Sequence, residues 1–315
     1  MIARRTLLKG VSCAAMSAAI STVSARSSQA QQVPYSSGTE SPKLKAPVNA
    51  CDCHMHIYDS RFPVAANATL RPPDALVADY QLLQKRIGAS RNVVVTPSTY
   101  GTDNSVTLDA MAKIGSTARG VAVVDTGVTD AELKRLNSLG VRGIRFNLVQ
   151  TGATTVEMFE PLSKRIHDLG WHVQLNLKPE LLVQIEDLLL RSPSPLVFDH
   201  LAHIPRDAGV EHPSFKTMRK LLDKGHTWVK LSGAYQDTKV GAPTYADATP
   251  IAQSYVKVAP DRMVWGSDWP HPTEKEKPDD AVLFDLLLQW VPDEGIRNRI
   301  LVQNPETLYG FGKST

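Results

Sequence analysis

The sequence predicts an α/β fold, a (β/α)₈ TIM barrel, from three observations. Short apolar or β-branched runs alternate with longer helical patterns from Pro47 onward. They form eight strand-plus-helix units in about 270 residues, which is the arithmetic of that barrel. No glycine-rich phosphate loop follows the first strand, which argues against an open doubly wound sheet.

Taken in order, the chain opens on an address. Ala3-Arg4-Arg5-Thr6-Leu7-Leu8-Lys9 is a basic segment built on paired arginines, followed by small and weakly apolar residues to about Val23. Small residues precede two candidate cleavage points, after Ala25 and after Ala30. The pattern resembles a twin-arginine export signal over residues 1–30 and predicts a periplasmic protein. Residues 31–46, polar and aperiodic, read as a flexible leader, and residues 47–315 as the barrel. Strands are expected at 48–57, 91–97, 118–124, 141–148, 172–177, 196–200, 227–232 and 262–267. The amphipathic patterns between them include 78–87, 105–114, 130–139, 157–169, 179–190 and 214–224. Gly88, Gly115, Gly140, Gly170 and Gly225 stand just past five of these, where a helix stops in a left-handed residue.

Charge and composition narrow the partner. The 315 residues carry a formal +3, but the first 30 hold four basic residues and no acid, leaving 31 basic against 32 acidic. Such a body has no electrostatic footprint for nucleic acid or an anionic membrane, and no apolar run reaches spanning length. A small molecule is the expected partner. Cys51 and Cys53, two residues apart on one strand, are too far apart for an unstrained disulfide and read as buried thiols under a helix.

The chemistry is expected at the C-terminal strand ends. In Cys51-Asp52-Cys53-His54-Met55-His56-Ile57, regular alternation places Asp52, His54 and His56 on one face and the apolar set on the other, turning both histidines into the barrel. Two imidazoles at that spacing converge on a metal or a polarised carbonyl. Strand six ends Asp199-His200, and strand eight runs into Ser267-Asp268-Trp269-Pro270-His271. A carboxylate between Trp265 and Trp269 is partly desolvated and suited to act as general base.

These three motifs, in this order, resemble the amidohydrolase superfamily and within it the branch that processes lactones, from about Asn49 to Phe311. The resemblance implies the same barrel, an enzyme acting on a carboxylated sugar-acid or pyrone-type lactone, and hydrolysis or isomerisation as the reaction. Metal-dependent members add a lysine or glutamate on strand four and a histidine on strand five. Here those strands end in Arg145 and Asn147, and in Gln174 and Asn176, while His172 opens its strand at the wrong end. The expectation is therefore no cofactor, with zinc on His54, His56, Asp268 and His200 as the alternative.

The remaining strand ends offer Ser98, Tyr100, Thr102 and Asn104; Arg145 and Asn147; Gln174; Lys230 and Tyr235. So many donors and acceptors imply an oxygen-dense substrate, with Arg145 and Lys230 suited to its carboxylate. His203 and Arg206 could reach an acid group from a loop, and His271 is expected to support the site from behind. In the expected mechanism Asp268 takes the proton of the nucleophile while His54, His56 and His200 polarise the carbonyl. Two rival readings are a zinc-dependent amidohydrolase or decarboxylase, and a non-catalytic periplasmic barrel that captures sugar acids.

Overall fold

The computed structural model describes residues 32–149 and 152–313. The proposed export signal and both cleavage points lie outside the described residues. Eight parallel strands follow one another around the sheet in sequence order. They are β1 (Cys51–Met55), β2 (Arg91–Val95), β3 (Ala118–Ala122), β4 (Val141–Asn147), β5 (His172–Asn176), β6 (Leu196–Phe198), β7 (Thr227–Leu231) and β8 (Met263–Trp265). Between and after them lie α1 (Val77–Ile87), α2 (Ser105–Ile114), α3 (Asp130–Ser138), α4 (Phe159–His167), α5 (Pro179–Gln184), α6 (Glu186–Leu190), α7 (Pro213–Asp223), α8 (Thr249–Val258) and α9 (Asp280–Trp290). α10 (Glu294–Asn298) and α11 (Asn304–Tyr309) end the chain. The helix expected at 179–190 is two, parted at Ile185, and several strands are shorter than expected. Among the described residues no helix is long and apolar enough to cross a membrane.

The seam between first and last strands matters for the site. β8 stops at Trp265, and the chain beyond it closes on β1: Asp268 N donates to His54 O at 2.8 Å and His56 N to Trp269 O at 2.8 Å. Closure thus brings the predicted base and both predicted histidines together through backbone hydrogen bonds. Gly266 permits the approach, since a Cβ there would stand 2.6 Å from that of His54.

Strand one breaks the regular alternation. Asp52 pairs with Asn92 and Met55 with Val94, so three residues on one strand span two on the other. That bulge turns two successive side chains inward. Cys51 and Cys53 lie in the inner cluster with Val93, Val95, Val121, Val197 and Val264, closed below by Leu308 and Tyr309, instead of under a helix. Both are free, buried thiols. Asp52 points outward, accepting from Tyr80 of α1 and from Ser267. His54 and His56 face the interior as expected, but the bulge is what puts them there.

Residues 32–46, the described part of the expected flexible leader, pack against the barrel. Val33 and Leu44 are buried in the main core, and the Trp269 indole donates to Pro34 O at 2.7 Å. Asp285 of α9 accepts from Lys43 N and Leu44 N at 3.0 and 2.8 Å. These residues form a strap over α1 and α9, because two apolar side chains in an otherwise polar run suffice to anchor it.

Candidate active site

At the C-terminal end of the barrel a partly open pocket is lined by His56, Tyr58, Ser98, Arg145, Asn147, Asn176, His200, His203, Gln236 and Asp268, among others. At its base His54 Nε2 and His56 Nε2 are 3.2 Å apart, and each is 3.4 Å from Asp268 Oδ1. His200 Nε2 stands 3.8 Å from Asp268 Oδ2.

The outer bonds of the rings decide what they present to the centre. His56 Nδ1 is 2.7 Å from Val95 O, and a carbonyl only accepts, so that nitrogen carries the hydrogen and Nε2 offers a lone pair. His200 Nδ1 lies 3.0 Å from Ser232 Oγ; with the hydroxyl donating, Nε2–H points into the pocket. His54 Nδ1 has a choice, with the Lys230 ammonium at 3.2 Å and the Asp199 carboxylate at 3.2 Å. Accepting from Lys230 makes its Nε2 a donor to His56, whereas donating to Asp199 leaves a second lone pair at the centre.

Burial sets the charges. It holds the His54 imidazolium well below its usual range and that of His200 down to about 4, so both rings are neutral near pH 7. Burial opposes the charge on Asp268 too, but its carboxyl is held well below the usual range by the side chains that face it, His200 first, which act on it through N–H dipoles where their rings are neutral. Tyr235 donates to Asp268 Oδ2 at 2.6 Å and Gln236 Nε2 to the same oxygen at 2.8 Å.

His200 reaches its place by an unusual turn. His200, Leu201, Ala202 and His203 all have positive φ, between 49° and 57°. Four consecutive left-handed residues without glycine cost about 1–2 kcal/mol each. The turn swings both His200 and His203 to the pocket wall. Gly233 makes room: a Cβ on it would fall 2.7 Å from His200 Nδ1.

Of the substrate-binding residues expected from sequence, Ser98, Arg145 and Asn147 line the pocket. The others do not. Tyr100 is spent on the Asp59 backbone, and Asn104 on Thr96 Oγ1, Thr102 O and the Val123 backbone. Thr102 is exposed outside the pocket, on the turn that follows β2. Gln174 and Lys230 are sealed beneath the site, where Lys230 Nζ donates to Cys53 O at 2.8 Å and to Gln174 Oε1 at 2.7 Å. The Tyr235 hydroxyl is spent on Asp268 Oδ2. His172 sits at the far end of the barrel, edge-on to Tyr309 at 5.3 Å.

Asp199 carries a role that the motif reading gave to its neighbour alone. Fully buried, it accepts from Arg145 Nε at 3.1 Å and Gln174 Nε2 at 3.2 Å, and faces His54 and Lys230. It neutralises the cations below the pocket and fixes the Arg145 guanidinium at its wall. Tyr58 and Gln236 also line the pocket unforeseen; Tyr58 follows His56 by two residues, which was the available signal. His203, offered by the sequence as a loop residue able to reach an acid group, lines the pocket half-buried, bonded to Asn176 Oδ1 at 2.7 Å and Asp237 Oδ2 at 3.0 Å. Arg206 is buried against Asp237 and lies behind the wall.

The donor set fits a divalent cation. Three contacts of 3.2, 3.4 and 3.4 Å among His54 Nε2, His56 Nε2 and Asp268 Oδ1 match the edges of a tetrahedron with metal–ligand bonds of about 2 Å. His54, His200 and Asp268 also have ligand atoms within 4.8 Å of one another.

Comparisons agree with this picture. The chain is 36% identical over 272 residues to a 4-sulfomuconolactone hydrolase of Rhizobium radiobacter, covering 84% of this chain and 91% of that one. It is 34% identical over 281 residues to a 2-pyrone-4,6-dicarboxylate hydrolase of Comamonas testosteroni, covering 85% and 92%. It is 32% identical over 278 residues to a D-galactarolactone isomerase of Agrobacterium fabrum, covering 87% and 94%. A crystal structure of an apo protein from Agrobacterium tumefaciens superposes with a TM-score of 0.81 at 31% identity, covering 89% of this chain and 99% of that one. The amidohydrolase sequence profile matches residues 51–311. The barrel with its His-x-His strand and terminal aspartate is an enzyme, and the chain belongs to the amidohydrolase family.

Proposed function

We propose that the enzyme hydrolyses a small carboxylated lactone, with Asp268 as general base. The observation that carries this is the ionised Asp268 carboxylate, its Oδ1 directed at the centre and its Oδ2 already satisfied. Arg145, its Nε tied to Asp199, offers the rest of its guanidinium to the substrate carboxylate, and Ser98, Asn147 and Asn176 to the other oxygens. Water between Oδ1 and the ring carbonyl gives its proton to Oδ1 as its oxygen attacks. The oxyanion takes the His200 Nε2–H, and the departing ring oxygen recovers the proton from Asp268. This narrows the expected polarising group from three histidines to His200, since His56 Nε2 bears no hydrogen and a hydrogen on His54 Nε2 is spent on His56. The isomerase relative supports the same scheme with a substrate hydroxyl in place of water.

A second reading of the centre is favoured by the tetrahedral spacing. Zinc there would be held by His54, His56 and Asp268, with His200 nearby, and would supply Lewis-acid polarisation of the carbonyl and acidify its water. To offer Nε2 as a ligand His54 would carry its hydrogen on Nδ1, toward Asp199; with Lys230 donating to Nδ1 instead, Lys230, His54 and His56 form a hydrogen-bonded row. Elemental analysis of protein purified without chelator, with turnover of 2-pyrone-4,6-dicarboxylate, 4-sulfomuconolactone and D-galactarolactone before and after stripping, separates the two. Activity surviving in metal-free protein supports the free base. About one zinc per chain, with activity lost on stripping and restored by metal, makes Asp268 a ligand. In either case Asp268→Asn is expected to lower kcat by about a hundredfold or more, and parent-like turnover in that variant overturns the proposal.

The paired Arg4 and Arg5 further support export to the periplasm. Fractionation of cells carrying the parent and an Arg4→Lys/Arg5→Lys chain tests it. Equal cytoplasmic retention of both counts against it.

A further inference from the structure

Behind the base lies a row of hydrogen bonds that the proposed chemistry does not use. The Tyr235 hydroxyl spends its single hydrogen on Asp268 Oδ2, so toward its other neighbour it can only accept. That neighbour is His271 Nδ1, 2.9 Å away. The other ring nitrogen of His271, Nε2, faces Asp280 Oδ2 at 3.2 Å, and His271 and Asp280 are both completely buried. Two features lock the row. His271 N donates to Asp268 O at 2.8 Å across a turn in which both residues have positive φ, and Lys277 Nζ caps His271 O at 2.6 Å. Asp280 opens α9, and its N–H donates to Ser36 Oγ in the strap.

A carboxylate turns about a broad, nearly two-fold torsion, so burial alone does not choose which oxygen meets the substrate. Here the choice is made from outside. We propose that Tyr235, His271 and Asp280 are positioning residues that pin Asp268 Oδ2, so that Oδ1 alone works at the centre. Gln236 holds the same oxygen from the pocket side, whereas Tyr235 is backed by the buried His271 and Asp280. Removing His271 lets the Tyr235 hydroxyl swing, and the carboxylate then loses its fixed orientation while the substrate-binding wall of Ser98, Arg145 and Asn147 is untouched. The prediction is a loss in kcat without a change in KM.

The kinetic arm rests on the lactone reading above and uses the full-length enzyme on whichever of the three lactones the parent turns over fastest. His271→Leu is expected to lower kcat by about tenfold or more with KM within about twofold. His271→Asn, whose amide nitrogen stands near the place of Nδ1, is expected to recover most of that loss. Asp280→Asn, nearly isosteric, is expected to lower kcat by about threefold or more at constant KM, and it decides the question if His271→Leu does not fold. A smaller fall, a KM that moves with kcat, or an asparagine no better than leucine overturns the positioning role. Parent-like turnover by Asp268→Asn would instead sink the general-base reading itself. If the parent turns over none of the three lactones, crystal structures of the parent and Tyr235→Phe decide: a carboxylate turned away from its parent orientation supports the role, and an unchanged one overturns it.

Discussion

His172 shows how a single residue can be legible in place and still informative in charge. Its position at the start of β5 fixes it at the bottom of the barrel, away from the chemistry, as the sequence spacing implied. There burial, and then the Lys230 ammonium, lower its imidazolium to about 3, against about 6.5 for an unfolded chain. A folded value below the unfolded one means that the unfolded chain binds more protons between them. The stability tied to the neutral ring is therefore full above about pH 6.5 and drains as pH falls toward 3, by about 3 kcal/mol at pH 4. Thermal midpoints between pH 7 and 4 should fall for the parent, and the fall should be shallower for His172→Phe, which keeps the edge-to-face contact with Tyr309. Parallel curves would show that another group takes up the proton. That His54, His56, His200 and Asp268 converge on one centre was readable because short local motifs carry them. Asp199 was not, since what defines it is Arg145, Gln174 and Lys230, which reach it from three different strands. Tyr100, Thr102 and Asn104 were over-read for the converse reason: polar residues after a strand serve the loop itself as readily as a ligand.

At the scale of elements, the eight strands were legible from apolar runs, and the departures from regularity were not. The bulge in β1 and the left-handed turn after β6 are the two that build the site, and neither has a sequence signature: no glycine marks the turn, and Cys53-His54 reads as ordinary strand. Local propensity opposes a left-handed run of four residues, so tertiary packing must hold it. Gly233 is where that packing can be tested. It has φ of 63°, and a Cβ there would press on the His200 ring. Gly233→Ala should therefore cost about 1 kcal/mol or more from the backbone alone and push His200 out of line. Its expected signature is kcat/KM lowered by about tenfold or more with a modest fall in thermal midpoint. Equal activity in the alanine variant would mean that His200 Nε2 does not donate to the oxyanion.

For the whole molecule the barrel was countable in advance, but its lower boundary was not, because composition alone cannot distinguish a free polar leader from one stapled down at two points. The strap of residues 32–46 makes contact where the site is anchored. It receives the Trp269 indole hydrogen one residue after Asp268, and Ser36 Oγ accepts from the first residue of α9. Arg86 of α1 ties the same segment through Ser37 O and Glu40 O, while its guanidinium also pairs with Asp279 at 2.7 Å. Burying Val33 and Leu44 alone is worth about 3 kcal/mol, enough to move the midpoint of a domain this size by about 5 °C. Two truncated chains decide the matter, one starting at residue 32 and one at Pro47. The shorter should melt about 5 °C lower or more and lose turnover beyond what stability explains, because Trp269 and Asp280 flank the turn that aims Asp268. Equal midpoints and equal turnover would return residues 32–46 to the role of a passive leader. A lower midpoint with full activity would confine the strap to stability and leave the aim of Asp268 to Tyr235 and His271.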